Sequence, residues 1–175
     1  MCMQVRVDMA DSPPEREEMN AILREYYELV IGRLVADGGP EMTPDAPIAD
    51  FWAHLDEFLP PRGRLALARS NDCRLLGCGT LSDIGDGCGE MKRLFVRPEA
   101  RGTGLGRRLV EARIEEARKM GLRTLLVDTL RLNVEMRALY DKLGFRRIRE
   151  YPQSGTIRGF PELAPYMIFF QLDLN

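Results

Sequence analysis

The spacing of apolar residues changes along the chain and divides it into helical and extended segments. Early in the chain, Met19, Ile22, Leu23 and Tyr26 recur at the three- and four-residue intervals of an amphipathic helix. Beyond residue 63 the period shortens to the alternation of strands, and helical spacing then returns twice. The pattern predicts helices over 13–35, 48–58, 104–120 and 133–144, and strands over 3–7, 64–70, 74–82, 89–96, 123–129, 145–151 and 166–174.

Capping and turn residues set the ends of these elements. Ser12, followed by Pro13 and Glu15, is typical of the N-cap of the first helix. Gly121 terminates the third helix, and Asn133 can cap the fourth. The element order predicts one α/β domain over residues 1–175 with a mixed sheet, in which the strands between 64 and 96 form an antiparallel meander.

Charge is unevenly distributed along the chain. The net charge is -2, which gives little support for binding nucleic acid or an anionic membrane. Residues 1–60 carry a net charge of -9, and residues 61–175 carry +7. Either the first helices simply have solvated acidic faces, or the protein has an acidic surface for a cationic substrate and a basic surface for an anionic cofactor.

The cysteines and the apolar runs indicate the cellular compartment and the expected absence of a metal site. The four cysteines form no Cys-x-x-Cys pair and His54 is the single histidine, so we expect no zinc site and no bound metal. No apolar run approaches the roughly 20 residues of a membrane span, and the first residues lack the pattern of a signal peptide. These features predict a cytoplasmic protein with reduced thiols.

A glycine-rich turn supplies the candidate chemistry. The strand Leu94-Phe95-Val96 leads through a polar turn into Arg101-Gly102-Thr103-Gly104-Leu105-Gly106, which opens a helix. Free amides and the positive dipole end of a helix start form an anion site. A P-loop would need Gly-Lys-Ser/Thr here, and Gly106 is followed by arginine. A dinucleotide fingerprint would need glycine in place of Arg107, although Asp128 stands where a ribose-binding acid could lie.

Around this turn the chain resembles the GNAT superfamily of N-acetyltransferases. The spacing Arg101-x-x-Gly104-x-Gly106 is similar to the coenzyme A motif of that superfamily. The segment 90–99 is similar to the strand and turn before that motif, and 133–145 to its second signature helix. The resemblance implies an acyl-CoA N-acyltransferase fold, with a central, mostly antiparallel sheet and a β-α-β cofactor unit.

The resemblance also implies acetyl-CoA as cosubstrate and a set of residues that bind it. Backbone amides of residues 102–106 are expected to hold the pyrophosphate. The backbone of Leu94 and Val96 is expected to pair with the pantetheine arm like an added strand. The predicted cofactor-binding residues are Leu94, Phe95, Val96, Arg101, Gly102, Thr103, Gly104, Leu105, Gly106 and Asn133, the last of which is also explained by helix capping alone.

Two residues are candidates for the acid–base chemistry of acetyl transfer. Tyr140 is the candidate acid for the departing thiolate, although its place on the apolar stripe is also explained by core packing. Glu90 is the candidate base, acting through water, although a solvated glutamate at a strand end is equally consistent. Alternation along the strand places Glu90, Leu94 and Val96 on one face.

The sequence therefore predicts an N-acetyltransferase that acetylates a primary amine by direct attack in a ternary complex. The acceptor is expected to be an amine of a small molecule or a peptide, and the sequence favours a small, cationic one. Two alternatives stay open: a dinucleotide-binding oxidoreductase, and a CoA-binding regulatory module without turnover. The apolar final strand, 167–172, either pairs across a homodimer or completes the sheet.

Overall fold

One seven-stranded sheet organises the chain. The computed structural model describes residues 4–174. The strands are β1 Val5–Met9, β2 Gly63–Ser70, β3 Leu75–Gly85, β4 Cys88–Val96, β5 Thr124–Leu130, β6 Arg146–Ile148 and β7 Met167–Asp173. Within residues 4–174 the strand order is β1-β2-β3-β4-β5-β7-β6, with β4 and β5 parallel and all other neighbours antiparallel. The mixed, mostly antiparallel sheet and the meander β2-β3-β4 are as predicted.

Helices cover both faces of this sheet. They are α1 Arg16–Ala36, α2 Asp45–Ala53, α3 Leu105–Lys119, α4 Val134–Lys142 and the short α5 Gly155–Gly159. Helices α1 and α2 pack on one face, where Leu65 and Leu67 of β2 meet Ile22. Helix α3 packs on the other face, where Ala66 and Ala68 of the same strand contact Leu109. Alternate side chains of β2 thus belong to two separate cores, because successive side chains of a strand point to opposite faces.

The predicted start of α1 is wrong. Ser12 does not cap the helix, because the chain enters the helix three residues later. Glu15 is the N-cap, and its carboxylate accepts hydrogen bonds from the amides of Glu17 and Glu18, at 3.0 and 2.7 Å. These bonds hold the pKa of Glu15 below its ordinary value. A carboxylate is favoured here because it also complements the positive end of the helix dipole.

The stretch between residues 148 and 167 differs most from the prediction. Strand β6 is only three residues long, and α5 and a 3-10 segment over Pro161–Tyr166 follow it. Tyr151 is buried against Leu126 and Phe169, which fastens this stretch to the α1 face of the sheet. A five-residue helix carries too little periodicity to be read from apolar spacing.

A β-bulge interrupts the alternation of β4. Thr80 of β3 pairs with Lys92, but Cys78, two residues away, pairs with Phe95. The extra residue is accommodated at Arg93, whose φ is +54°. The prediction that Glu90, Leu94 and Val96 share a face is therefore wrong. Phe95 packs in the core under α1, whereas Leu94 and Val96 pack against the α3 side.

Strands β4 and β5 separate at the same point. Their parallel pairing runs only from Cys88–Thr124 to Met91–Val127. From Lys92 to Val96, β4 keeps β3 on one side, and no strand of the described range pairs with it on the other. The open edge left there consists of backbone groups without ladder partners.

The final strand lies inside the sheet. Strand β7 pairs with β5 over seven residues and with β6 over three. The apolar stretch 167–172 therefore completes the sheet of this chain. Within residues 4–174 no helix combines the length and apolar character needed to cross a membrane.

We expect the substitution Glu15→Ala to lower the urea midpoint of unfolding, because two amides at the start of α1 lose their acceptor. Ser12→Ala serves as the matched control and should leave the midpoint unchanged. The folded-state pKa of Glu15 is lowered, so its contribution is present above the ordinary glutamate value of about 4.3 and is lost as the pH falls through the lowered value. Urea titrations at pH 7 and pH 3 measure this, and an equal effect of Ser12→Ala would contradict the assignment.

Candidate functional site

Two cavities meet beside the bulge of β4. The first, here called the turn groove, has a volume of about 550 Å³ and is lined by residues 94–96, by most of the glycine-rich turn and by Met136 and Leu139 of α4. The second, here called the carboxylate cavity, has a volume of about 490 Å³ and contains Glu90 and Asp128. Tyr26, Val30 and Asn133 line both, so the two cavities adjoin there.

The turn groove contains a run of free backbone amides. No carbonyl or side chain of the described residues accepts from the amides of residues 102–104, and those of residues 105 and 106 lie in the first turn of α3. Gly104, the N-cap, provides no side-chain cap. Gly102 and Gly104 have φ of +74° and +80°, which L-residues with side chains rarely adopt, and a Cβ at either would meet nothing within 4 Å. The turn thus presents a cradle of donors that fits a diphosphate.

The open edge of β4 forms one wall of the same groove. Leu94, Phe95 and Val96 all line it, and Arg101 reaches back so that its Nε donates to the Val96 carbonyl at 3.0 Å. The Arg101 guanidinium also lies 5.7 Å from the Phe95 ring centroid. This backbone edge is suited to an extended ligand with amide groups, since such a ligand pairs as an added strand does.

Asn133 lies where the two cavities adjoin. It precedes α4 but makes no side-chain cap bond. Its Nδ2 donates to Thr129 Oγ1 at 3.0 Å, and its Oδ1 accepts from Arg33 of α1 at 2.7 Å. The predicted capping role of Asn133 is therefore wrong, because both ends of its amide are used elsewhere. The bonds tie α1 to the start of α4 across the groove.

Glu90 lies on the floor of the carboxylate cavity, 5 % exposed. Its Oε1 accepts hydrogen bonds from the Tyr151 hydroxyl at 2.8 Å and from the Gly155 amide at 3.1 Å. Its Oε2 accepts none from the described residues and is not among the buried polar atoms that lack a partner. One oxygen is thus fixed while the other opens to the cavity.

Lys92 lies between Glu90 and a second carboxylate, Asp128. Its Nζ is 3.0 Å from Asp128 Oδ2 and 3.5 Å from Glu90 Oε1, and it also donates to Thr156 Oγ1. Burial lowers the pKa of Lys92, but the two carboxylates outweigh burial and raise the pKa above its ordinary value. Lys92 therefore stays charged and balances one of the two acids, which leaves the floor with a net negative charge.

The segment containing α5 covers this floor. Ser154 Oγ and Thr156 Oγ1 donate to Asp128 at 2.8 and 3.2 Å. A Cβ on Gly155 would lie 3.2 Å from Glu90 Oε2, so the backbone here rests against the carboxylate. The sequence reasoning missed Lys92, Tyr151, Ser154 and Thr156 as part of the site. Of these, only Lys92 had a signal, because it follows Glu90 by two residues on one strand.

Tyr140 is buried beside the groove. Its ring packs against Phe145 and Phe170, with centroids 5.3 and 5.7 Å apart. Met136 and Leu139 of the same helix line the turn groove, whereas Tyr140 lies in the adjoining core. Burial raises the pKa of Tyr140 to about 12, against an opposing effect of Arg113. The phenol therefore keeps its proton at neutral pH.

Comparison with known proteins shows the family of the chain. A model of the Acetyltransferase (GNAT) family matches residues 17–145. The chain belongs to this family. It is 28 % identical over 172 residues to an uncharacterized N-acetyltransferase of Schizosaccharomyces pombe, covering 98 % of this chain and 96 % of that one. It is 42 % identical over 92 residues to an IAA acetyltransferase of Azospirillum brasilense, covering 52 % of this chain and 60 % of that one.

Solved structures of GNAT proteins share the fold. An acetyltransferase of the family from Staphylococcus aureus matches with a TM-score of 0.75 at 18 % identity, covering 97 % of this chain and 100 % of that one. The structure of yncA from Salmonella typhimurium with its cofactor acetyl-CoA matches with a TM-score of 0.64 at 22 % identity, covering 98 % and 94 %.

This GNAT protein is an acetyl-CoA-dependent acyltransferase. The oxidoreductase alternative loses the one residue that supported it. Asp128 lines the carboxylate cavity and bonds Lys92 and Ser154, instead of facing the glycine turn. In the described part of the chain no group of three or more His, Cys, Asp or Glu side chains could hold a metal ion.

We expect Gly104→Ala to weaken binding of coenzyme A about tenfold, because a side chain at positive φ costs about 1–2 kcal/mol and shifts the amides of the turn. Isothermal titration calorimetry with coenzyme A measures the change. Gly159→Ala is the matched control, since a Cβ there meets nothing within 4 Å and φ is not positive. Wild-type affinity in Gly104→Ala would show that the amides of this turn do not hold the diphosphate.

Proposed function

We propose that this GNAT protein transfers the acetyl group of acetyl-CoA to a small primary amine by direct attack within a ternary complex. The observation that carries the proposal is Glu90, with one oxygen fixed by two donors and the other open to a cavity that adjoins the turn groove. Acetyl-CoA supplies an activated acyl group. The residues of the chain bind acetyl-CoA and admit the amine beside it. They also take a proton from the amine and direct one to the departing thiolate.

The turn groove is proposed as the binding site of the cosubstrate. Amides of residues 102–106 hold the diphosphate, and the open edge at Leu94 and Val96 pairs with the pantetheine arm. Phe95, Arg101 and Asn133 complete the wall. Tyr26, Val30 and Asn133 border both cavities, so an acetyl group held in the turn groove would meet the amine beside these residues.

Glu90 is proposed as the base. An alkylamine has a pKa of about 10.4 and arrives as an ammonium ion, which is not nucleophilic. The ammonium ion is attracted by the net negative floor, and its proton passes to Glu90 Oε2, directly or through a water molecule. Of the acids in residues 1–60, Asp50 and Glu57 also line this cavity. Both are within 3.5 Å of a cationic or histidine nitrogen, so the attraction of a cationic amine rests on the floor formed by Glu90 and Asp128.

Tyr140 is proposed as the acid for the departing thiolate. Its pKa of about 12 keeps the phenol protonated over the whole neutral range. The side chain adjoins Leu139, which lines the groove. Full proton transfer to a thiolate of pKa about 8.5 is uphill for this phenol. Tyr140 therefore acts by donating a hydrogen bond to the sulfur, where negative charge develops as the C–S bond breaks.

The cysteines favour direct attack over an acyl-enzyme. None of Cys73, Cys78 and Cys88, the cysteines in the described residues, lines either cavity. Burial raises the pKa of Cys78 to about 12, so its thiol is a poor nucleophile at neutral pH.

A panel of primary amines tests the function. We expect release of coenzyme A thiol, followed with a disulfide reagent, to depend on both acetyl-CoA and an amine, and mass spectrometry to find the N-acetylated product. Coenzyme A binding without turnover for any amine would favour a regulatory module. A double-displacement pattern in initial rates would contradict direct attack.

We expect Glu90→Gln to lower kcat by about 10²–10⁴-fold with little change in KM for acetyl-CoA, because glutamine keeps the acceptor for Tyr151 and Gly155 but cannot take a proton. Glu162→Gln, an exposed carboxylate near α5, is the control. Steady-state kinetics with the best amine of the panel measures both, and a kcat within twofold of wild type would remove Glu90 as the base.

We expect Tyr140→Phe to lower kcat about tenfold or more while the urea midpoint changes little, since the ring contacts with Phe145 and Phe170 are kept. The protonated phenol persists below its pKa of about 12, so wild-type kcat should show no alkaline loss from Tyr140 up to pH 10. Unchanged turnover in Tyr140→Phe would assign this residue to packing alone.

A further inference from the structure

A buried cation in the carboxylate cavity lacks a close counter-charge. Arg93, at the bulge, is 8 % exposed and lines the cavity. Its Nε donates to the Tyr27 hydroxyl at 3.0 Å, and its Nη2 is 3.5 Å from Asp50, which is half-exposed. Its Nη1 is buried and has no partner in residues 4–174. Leaving a buried guanidinium with one long ion pair is costly, which indicates that an anionic group balances it in the working state.

The acids of the cavity are already paired. Within the described residues, each of the four acids that line it lies within 3.5 Å of a cationic or histidine nitrogen: Asp128 and Glu90 near Lys92, Asp50 near His54 and Arg93, and Glu57 near Arg62. Arg158 of α5 also lines the cavity and forms no ion pair within residues 4–174. What the cavity offers a ligand is therefore the open oxygen of Glu90 together with cations that lack close partners.

The bulge determines where these groups lie. Glu90 and Arg93 both line the carboxylate cavity, although a regular strand would direct residues three apart to opposite faces. At about 3.3 Å per residue, their backbone positions are separated by roughly 10 Å or less. Side chains of this length can close on a small molecule between them.

We propose that the amine acceptor also carries a carboxylate, so that the substrate class is an amino acid or a close analogue. This rests on the proposed N-acetyltransferase function. The amine is directed to Glu90 Oε2 and the carboxylate to the Arg93 guanidinium, whose planar fork matches a carboxylate. The 3.5 Å contact with Asp50 is long and weak, so it leaves the Arg93 guanidinium available to a ligand carboxylate.

Apolar residues in the lining of the cavity suit the remainder of such a substrate. Leu163 and Met167 contribute apolar surface, and Phe58, whose ring lies 4.8 Å from the Arg93 guanidinium, extends it. A cavity of about 490 Å³ is of a size typical for small-molecule sites. An amino acid with an apolar side chain would place its amine at Glu90, its carboxylate at Arg93 and its side chain on this apolar surface.

Matched pairs of amines test the inference. L-phenylalanine is compared with phenethylamine and L-phenylalaninamide, and L-leucine with 3-methylbutylamine, so that each pair differs in the carboxylate. We expect kcat/KM for the amino acid to exceed that of its partner without a carboxylate about tenfold or more, as for a charge-assisted hydrogen-bonded pair. Equal or better turnover of the amines without a carboxylate would overturn the proposal.

Variants of Arg93 separate recognition from folding. We expect Arg93→Gln to raise KM for the amino acid about tenfold while kinetics with phenethylamine change less than about twofold. Arg93→Lys keeps the charge but loses the fork, and should fall in between. Arg64→Gln is the control, since Arg64 pairs with Glu116 at 2.8 Å and lines neither cavity. An equal loss for both amines in Arg93→Gln and Arg93→Lys would mean that Arg93 only supports the fold.

Binding measurements keep the two proposals distinguishable. If no amine of the panel is acetylated, the proposed function fails, and calorimetric titration of the wild-type protein with L-phenylalanine and phenethylamine decides the inference by itself. Binding that requires the carboxylate, and that Arg93→Gln removes, supports it. Equal binding of both compounds, or binding of neither, overturns it.

Discussion

The brevity of the parallel pairing between β4 and β5 is the constraint on which the rest of the structure depends. The two strands are hydrogen-bonded over four residues and then separate. A sheet interior that opens in this way exposes backbone groups that must find partners elsewhere. In this protein the exposed edge becomes the wall of the turn groove, and the carboxylate cavity adjoins that groove. The proposed donor and acceptor sites thus both lie beside one interruption of the sheet.

The bulge at Arg93 determines which side chains of β4 lie on each face of the sheet beside this interruption. By inserting one residue, it sends Leu94 and Val96 toward the α3 side and keeps Phe95 under α1. The charged groups of β4 then face the cavity together. Arg113, which is fully buried, supports the bulge from the other face by donating to the carbonyls of Thr80 and Lys92, at 2.9 and 3.2 Å. Burial lowers the pKa of Arg113, which is the expected result for a cation without a carboxylate partner.

The sequence predicted the architecture well because its signals are local. Apolar spacing marked α3 and α4, alternation marked β2 and β3, and the glycine turn lies where its spacing placed it. Besides the stretch between residues 148 and 167, three features escaped prediction for physical reasons. The N-cap of α1 is a glutamate three residues after the expected serine. The bulge reverses the side-chain alternation after Lys92, and apolar spacing does not reveal it. The pairing of Lys92 with Asp128 joins residues 36 apart in the chain, and only the folded sheet brings them together.

The two cavities draw on different parts of the chain. The turn groove is built by the end of β4, the glycine turn and α4, with α1 on one side, whereas α5 and the 3-10 segment after it contribute only to the carboxylate cavity. Residues in those short elements can therefore be replaced during evolution without disturbing the proposed cosubstrate site. Such a division lets gene duplication generate new acceptor preferences while the inherited donor chemistry stays intact.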